Sequence, residues 1–435
     1  MKFQTQFNCS GRPDLKYALL DFFKHESSLV LLDGNFHGNA IGNSSFDWAI
    51  AAGAAHELHA QEANAFEALQ NFHQVHKDWI FGALSYDLKN GVEKLTSIHP
   101  DGIQFEPLHF FVPKYLFLFK ADCVTIYHHS NFKPFDFSQV TAYDSDSVDF
   151  LFTGVLKNRV TKEAYLSNVN QIKSHIQAGD LYEMNYCQEF YAEKTSLNPL
   201  QVFRALNRLS KAPFSCFYKS KDAYLLSASP ERYLKKSDSV LISQPIKGTK
   251  KRGATPEEDQ LLKELLYKDE KERSENVMIV DLVRNDLARI AAKNSVEVDE
   301  LFGIYSFEQV HQMISTVRCE QSPDCELSDV FKATYPMGSM TGAPKISAMK
   351  LIEKFEITKR GLYSGSIGYI TPTGDFDFNV VIRSIQYNAI NEYLSFMVGG
   401  AITIGSDAEM EYQECLLKAK ALFEVLQGNY AKTVS

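Results

Sequence analysis

Lys247 stands in Pro245-Ile246-Lys247-Gly248-Thr249, after the apolar run Val240-Leu241-Ile242-Ser243 and just before Lys250, Lys251 and Arg252. Proline and glycine near it fix the backbone and leave the amine little competing bulk. An ordinary lysine has a pKa of about 10.4 and is protonated at neutral pH. Desolvation or adjacent cations push the amine toward its neutral, nucleophilic form. The same pentapeptide also makes a solvated basic turn, and alone it does not choose between these roles.

Acids supply the complementary chemistry. Glu231 follows the apolar run 223–229 in Pro230-Glu231-Arg232-Tyr233, where it is either a proton donor at a strand end or a structural partner of arginine. Glu272 and Glu275 are three residues apart in a segment that continues Val277-Met278-Ile279-Val280, so they share one face of a helix. Glu411, Glu414 and Lys418 repeat the device far downstream. Each set alone fits a solvated face. The apolar continuation of the first helix implies burial, and buried carboxylates must be paired or bind a metal. Oxygen-only donors of this kind suit a hard divalent ion such as Mg2+.

The stretch Tyr335-Pro336-Met337-Gly338-Ser339-Met340-Thr341-Gly342-Ala343-Pro344-Lys345 looks like a phosphate loop but lacks Gly-Lys-Ser/Thr, and Pro344 removes an amide donor. It reads as a glycine-rich turn leading into a helix at Lys345–Phe355, whose first amides suit a carboxylate. An alternating strand is expected over residues 376–385. It carries Arg383, whose guanidinium suits bidentate carboxylate binding, opposite Phe378, Val380 and Ile382.

These groups need a large scaffold. The 435 residues are 45% hydrophobic and 23% charged, ordinary for a soluble globular protein, with a net charge of −9 and a pI near 5.8. Nothing in that balance invites nucleic acid or an anionic membrane. No apolar run approaches the ~18 residues of a membrane span, and the first residues lack a signal-peptide core. The seven cysteines are scattered, without a Cys-x-x-Cys pair, which argues against a disulfide framework or a zinc site and for a reducing, cytoplasmic setting. Cys415 reads as a small buried residue.

Residues 1–150 read as strand-rich and chemically quiet. Apolar runs at 29–32, 79–87, 108–112, 115–119 and 123–127 read as strands, and 49–71 as helix by propensity. Histidines 56, 59, 73, 76, 128 and 129 do not form a metal-ligand set and are assigned to surface and packing roles. Residues 131–158, polar and rich in Asp, Ser and Phe, form the expected connection to a catalytic region over 155–430. There, 162–178 reads as a helix and 181–190 as a strand.

Pro-Ile-Lys-Gly-Thr, Glu-Asn-Val-Met-Ile-Val-Asp-Leu-Val-Arg-Asn-Asp-Leu, Gly-Ser-Met-Thr-Gly-Ala-Pro-Lys and Glu-Tyr-x-Glu-x-x-x-Lys occur here in one order. Over residues of about 160–425 the chain resembles the chorismate-utilising enzymes, most closely the branch of aminodeoxychorismate synthase component I. The resemblance implies a single large α/β fold of the α+β type, with two stacked antiparallel sheets, helices outside and substrate between. It implies amination of chorismate at C4 for p-aminobenzoate and folate synthesis, with ammonia from a separate glutamine amidotransferase subunit. Lys247 then adds to C2, Glu231 protonates the departing C4 hydroxyl, and His311 lies near the ring. Glu275 and Glu414 hold Mg2+, supported by Glu272 and Glu411, while Ser339, Tyr363, Arg383, Gly400 and Lys418 hold substrate. Lys247, where anthranilate synthases commonly have alanine, points to C4 chemistry rather than to anthranilate synthase component I. A non-catalytic subunit that only binds an amidotransferase is the other alternative. Met337 departs from the branch, which usually has glycine there, with a modest expected effect on pocket shape.

Overall fold

A computed structural model of the chain describes residues 1–9, 11–12, 14–35, 45–141, 152–308 and 310–427. The expected connection at 131–158 lies partly outside the described residues, over 142–151.

Long antiparallel strands dominate in one continuous 20-stranded sheet, whose two arms stack as the two expected layers and are joined by one strand, Leu108–Lys120. Its later half leads through Trp48–Ala60, Ser28–Asp33, Phe214–Ser220, Ala223–Ser229, Ser384–Asn388 and Tyr393–Ile402 to Glu183–Glu193. Its first half leads through Ile80–Leu84, Ser366–Ile370, Phe376–Asn379, Arg232–Ser237 and Val240–Gln244 to Val310–Glu320. Ile246–Lys251 and Glu297–Ser306 complete that second arm on the two edges of Val310–Glu320. Strands from before and after residue 150 are therefore neighbours in both arms.

The two arms face each other across Val30, Ala49, Phe81, Phe111, Cys216, Leu225 and Ile367, all fully buried or nearly so. Helices cover the outer faces. Lys162–Gln177, Pro199–Ser210 and Ala408–Gln427 pack on the first arm, and Ala65–His76, Glu270–Ala288 and Leu327–Thr334 on the second. Ala408–Gln427 buries Leu416, Ala419, Leu422 and Phe423 against Phe190 and Phe396. Each large apolar side chain contributes about 1.5–3 kcal/mol on burial, enough to hold a helix whose first turns are spent on charged residues. Among the described residues no helix is long and apolar enough to cross a membrane, and all seven cysteines are free thiols.

Three local expectations are corrected. Residues 49–71 are not a helix: Trp48–Ala60 is a strand, and the helix begins at Ala65. Trp48, Ile50 and Ala52 face the outer core while Ala49 and Ala51 face the inner one, so burial on both sides overrides alanine's helix propensity. The runs at 108–112 and 115–119 are one strand, because Pro113 sits opposite Ala54 where the partner shifts register and no ladder donor is required. The expected strand at 376–385 stops at Asn379 and resumes at Ser384. Between them Val380 donates its amide to the Glu231 carbonyl at 3.0 Å, Ser364 donates to the Val381 carbonyl, and Arg383 adopts φ of 50°. The chain leaves the ladder to build the site.

Candidate active site

The strand bearing Lys247 is irregular. Ile246 pairs with Ile314 and Thr249 with Gln312, so Lys247 and Gly248 bulge out of register. Gly248 has φ of 92°, and a Cβ there would sit 3.2 Å from Glu272 Oε2. The bulge thus brings Lys247 against the helix Glu270–Ala288.

Lys247 donates to Glu183 Oε1 at 2.8 Å, a carboxylate with 1% side-chain exposure. Burial pulls the amine's pKa down, but the Glu183, Glu275 and Glu231 carboxylates outweigh it and hold the pKa above its usual value. This corrects the expectation of an amine neutralised by its basic neighbours. Those neighbours are engaged elsewhere: Lys250 pairs with Asp269 at 3.4 Å and Arg252 with Asp259 at 2.8 Å. Lys247 rests as an ammonium among acids.

Glu231 is buried at the end of Ala223–Ser229, and burial pushes its carboxyl up to about 7. The Ser339 hydroxyl, Lys247, the Ile246 amide and Arg383 all oppose that rise without cancelling it. Ser339 belongs to a helical turn, Gly338–Met340, whose loop lies on the strand Glu183–Glu193 through Gly342. Gly342 has φ of 147°, and a Cβ there would meet the Glu183 carbonyl at 2.1 Å, so only glycine permits this approach. Among the described residues the Arg383 guanidinium makes no hydrogen bond or ion pair, and its electrostatic neighbour is Glu231.

The four glutamates come from the first two turns of two helices. Asp269 caps Glu270–Ala288, accepting from the Glu272 amide, and Asp407 accepts from the Met410 amide as Ala408–Gln427 begins. Glu275 is pushed up to about 7 by burial against the pull of Lys247, and its Oε1 is buried without a hydrogen bond. Burial and the Glu414 charge raise Glu272 as well. Lys418, 2.8 Å from Glu414 and 3.1 Å from the Gly399 carbonyl, lowers the Glu414 pKa. A Cβ on Gly400 would lie 3.3 Å from Glu411 Oε2 and 3.6 Å from Lys418 Nζ. Lys271 holds Glu411 at 3.2 Å and lies 3.8 Å from Glu275. The donor set suits a hard divalent ion: it is all oxygen, its carboxyls repel one another, and one buried oxygen is orphaned. Lys271, half exposed on a flexible stem, occupies the space between two of those carboxylates.

Two expected residues have their hydrogen-bond partners outside the charged cluster. His311 is fully buried, and Asp259 and Ser306 engage its two ring nitrogens at 2.8 and 2.9 Å, facing the helix Pro256–Lys268. Tyr363 is buried with its hydroxyl 3.5 Å from Cys187 Sγ. Sequence reasoning missed Glu183, Lys271 and the buried pair Arg360–Glu356. Arg360 reaches Glu356 at 2.6 Å, the Met340 carbonyl at 2.7 Å and the Asn185 carbonyl at 3.1 Å, tying the glycine-rich turn to the strand that carries Glu183. The available signal was an acid inside a strand otherwise suited to full burial, since such a charge requires a partner.

The family model described as chorismate binding enzyme matches residues 29–424. The chain is 37% identical over 283 residues to aminodeoxychorismate synthase component 1 of Escherichia coli, covering 65% of this chain and 62% of that protein. It is 42% identical over 276 residues to aminodeoxychorismate synthase of Streptomyces griseus, covering 63% of this chain and 38% of that protein. The matches thus span under two thirds of either relative. The crystal structure of anthranilate synthase component I from Streptococcus pneumoniae superposes with a TM-score of 0.75 at 27% identity, over 86% of this chain and 91% of that one.

Proposed function

Because the chain belongs to the family of chorismate binding enzymes, we propose that it aminates chorismate at C4, giving 4-amino-4-deoxychorismate. The observation that carries the reading is the pairing, in one pocket, of an amine beside a carboxylate that can take its proton with a carboxyl held at about 7. One is a nucleophile with a base; the other is an acid that keeps its proton near neutral pH.

Chorismate brings two carboxylates into this pocket. Arg383, without a protein partner among the described residues, holds one of them. Glu275 and Glu414, supported by Glu272 and Glu411, are the residues to hold Mg2+, which when bound neutralises carboxylate charge and polarises the ring. Glu183 accepts the Lys247 proton across their 2.8 Å hydrogen bond. The freed amine attacks C2, the ring electron pair shifts, the C4–O bond breaks, and Glu231 delivers its proton so that water leaves. Ammonia adds at C4 and gives a proton back to Glu231. The C2–N bond then breaks, and Lys247 recovers its proton from Glu183. The net change is chorismate plus ammonia to aminodeoxychorismate plus water.

No Gly-x-Cys-x-Gly motif occurs in this sequence, so a glutamine amidotransferase subunit is proposed as the ammonia source, in a route to p-aminobenzoate and folate. The test is incubation with chorismate, Mg2+ and ammonium, with product identified by mass and fluorescence. A 4-amino product supports the assignment. A 2-amino product means anthranilate synthesis, and no turnover with ammonium means a non-catalytic subunit. Glutamine alone is expected to give no product until a glutaminase subunit is added.

A further inference from the structure

A second chemical cluster lies outside this pocket, on one face of the strand pair Trp48–Ala60 and Leu108–Lys120, where Glu57 and His59 are exposed and His109 is buried. The register sets His59 directly opposite His109, with Glu57 two residues along on the same face. His59 Nδ1 is 2.6 Å from Glu106 Oε2, which can only accept, so Nδ1 carries a proton. That Nε2 faces Glu57 Oε2 at 3.5 Å. His109 is 2% exposed, its Nδ1 lies 2.6 Å from the Tyr218 hydroxyl, and its buried Nε2 makes no hydrogen bond. It faces the other oxygen of Glu57 at 3.7 Å. The Ser28 hydroxyl also hydrogen-bonds to Glu57, and Lys221 holds Glu106 at 2.9 Å.

Both rings are therefore anchored through Nδ1, with Nε2 turned on one carboxylate at distances too long for hydrogen bonds. Each Nε2 therefore meets the Glu57 carboxylate either as a proton donor or across a bound cation. A histidine whose second nitrogen is fixed by a carboxylate or hydroxyl is the usual arrangement of a metal ligand. Tetrahedral bonds of 2.0–2.1 Å put neighbouring ligand atoms about 3.3 Å apart, and the three ligand atoms here lie within 4.8 Å of one another. We infer that Glu57, His59 and His109 bind one divalent transition-metal ion of the zinc class, with the solvent side left for water and Glu106 and Tyr218 as orienting partners. Imidazole nitrogens favour such an ion over Mg2+.

The test uses the full chain, stripped with chelator, in excess Mg2+ to occupy the glutamate site. Titration with Co2+ alone is expected to give one equivalent with the intense visible bands of four-coordinate cobalt, bleached by Zn2+. His59→Gln and Glu57→Gln, both at solvent-accessible positions, should each weaken binding by at least about 100-fold. Tyr218→Phe should weaken it by about 10–100-fold, as loss of an outer partner does. His56→Gln, in the neighbouring stack with His76 at 4.3 Å, should leave binding unchanged. Absence of cobalt bands at micromolar concentrations would overturn the inference, because the cluster would then be a proton-bridged ion-pair network. Binding that survives both His59→Gln and Glu57→Gln would overturn it equally.

Discussion

Replacing Glu183 by glutamine isolates the interaction that sets the Lys247 charge. The carboxylate accepts the Lys247 hydrogen bond at 2.8 Å, both side chains are nearly or fully buried, and Glu183 is the largest of the charges raising the amine. Glutamine keeps the shape and the acceptor but removes the charge. An opposite charge within about 4–6 Å shifts a pKa by about 1–3 units, or roughly 1.4–4 kcal/mol. Burial, which alone lowers the amine, then meets only Glu275 and Glu231. The limb of kcat/KM that rises with pH, where Lys247 loses its proton, should move down by about 1–3 pH units in Glu183→Gln. If Glu183 also receives that proton during the reaction, the plateau should fall by about 10²-fold or more, the usual value of a positioned base. The assay is product formation from chorismate with Mg2+, run at constant free ammonia rather than constant ammonium so that only the enzyme titrates. An unshifted limb would refute the electrostatic argument, and an undiminished plateau would remove Glu183 from proton transfer.

Further outcomes follow from the same pocket. Glu275→Gln or Glu414→Gln should remove most Mg2+-supported turnover, since a lost ligand costs several kcal/mol of charge stabilisation; full turnover in excess chelator would contradict this. Lys247→Ala should abolish the 4-amino product and open space at C2 for a little 2-amino product, and unchanged 4-amino product would exclude covalent catalysis. Glu231→Gln should lose about 10²–10⁴-fold in rate yet stabilise the substrate-free protein at high pH. The Glu231 carboxyl rises from 4.5 to about 7, so its folded-state penalty is absent below about pH 4, grows through the interval, and reaches about 3 kcal/mol above pH 7. Urea midpoints should therefore separate from wild type at pH 8 and coincide at pH 4; the reverse order would show that Glu231 folds as a stabilising carboxylate.

Motifs in which several residues act locally were legible in the sequence. The spacing of Glu272 with Glu275 and of Glu411 with Glu414 did mark two helix faces, and the strand at Ala223–Ser229 did deliver Glu231 to its end. What stayed hidden depended on pairing between distant strands. Glu183 meets Lys247 only because the sheet folds residues 64 positions apart together. His59 meets His109 only through a register that no local pattern encodes. His311 enters through its motif, and alternation along Val310–Glu320 turns it toward Asp259, a partner that no local pattern signalled. The helix expected at 49–71 failed for a related reason, since its alanines are small enough to lie between two cores, a property of the partner strands rather than of the segment.

The charge balance of the pocket also divides its acids by role. Glu275 and Glu414 lie a turn inside their helices, where the field of the N-terminus has faded. Glu272 and Glu411 stand in the first turns, where the backbone favours an anion by about 0.3–1 kcal/mol each, and up to about 2 when partly buried. That is small beside the several kcal/mol an unpaired buried carboxylate costs. Lys271 and Lys418 settle Glu411 and Glu414, and Lys247 settles Glu183. Glu275 and Glu272 are left with raised pKa values, next to paired carboxylates on the opposite helix. A divalent ion placed there would relieve the largest remaining repulsion and displace only Lys271, a half-exposed and flexible chain. Glu231 has no such recourse. It lies on the sheet side, away from both helix ends, among Ser339, Arg383 and Lys247, and burial keeps its proton on. Under the proposed reaction one surplus of negative charge draws in the cation, and the other remains as a carboxylic acid where the hydroxyl leaves.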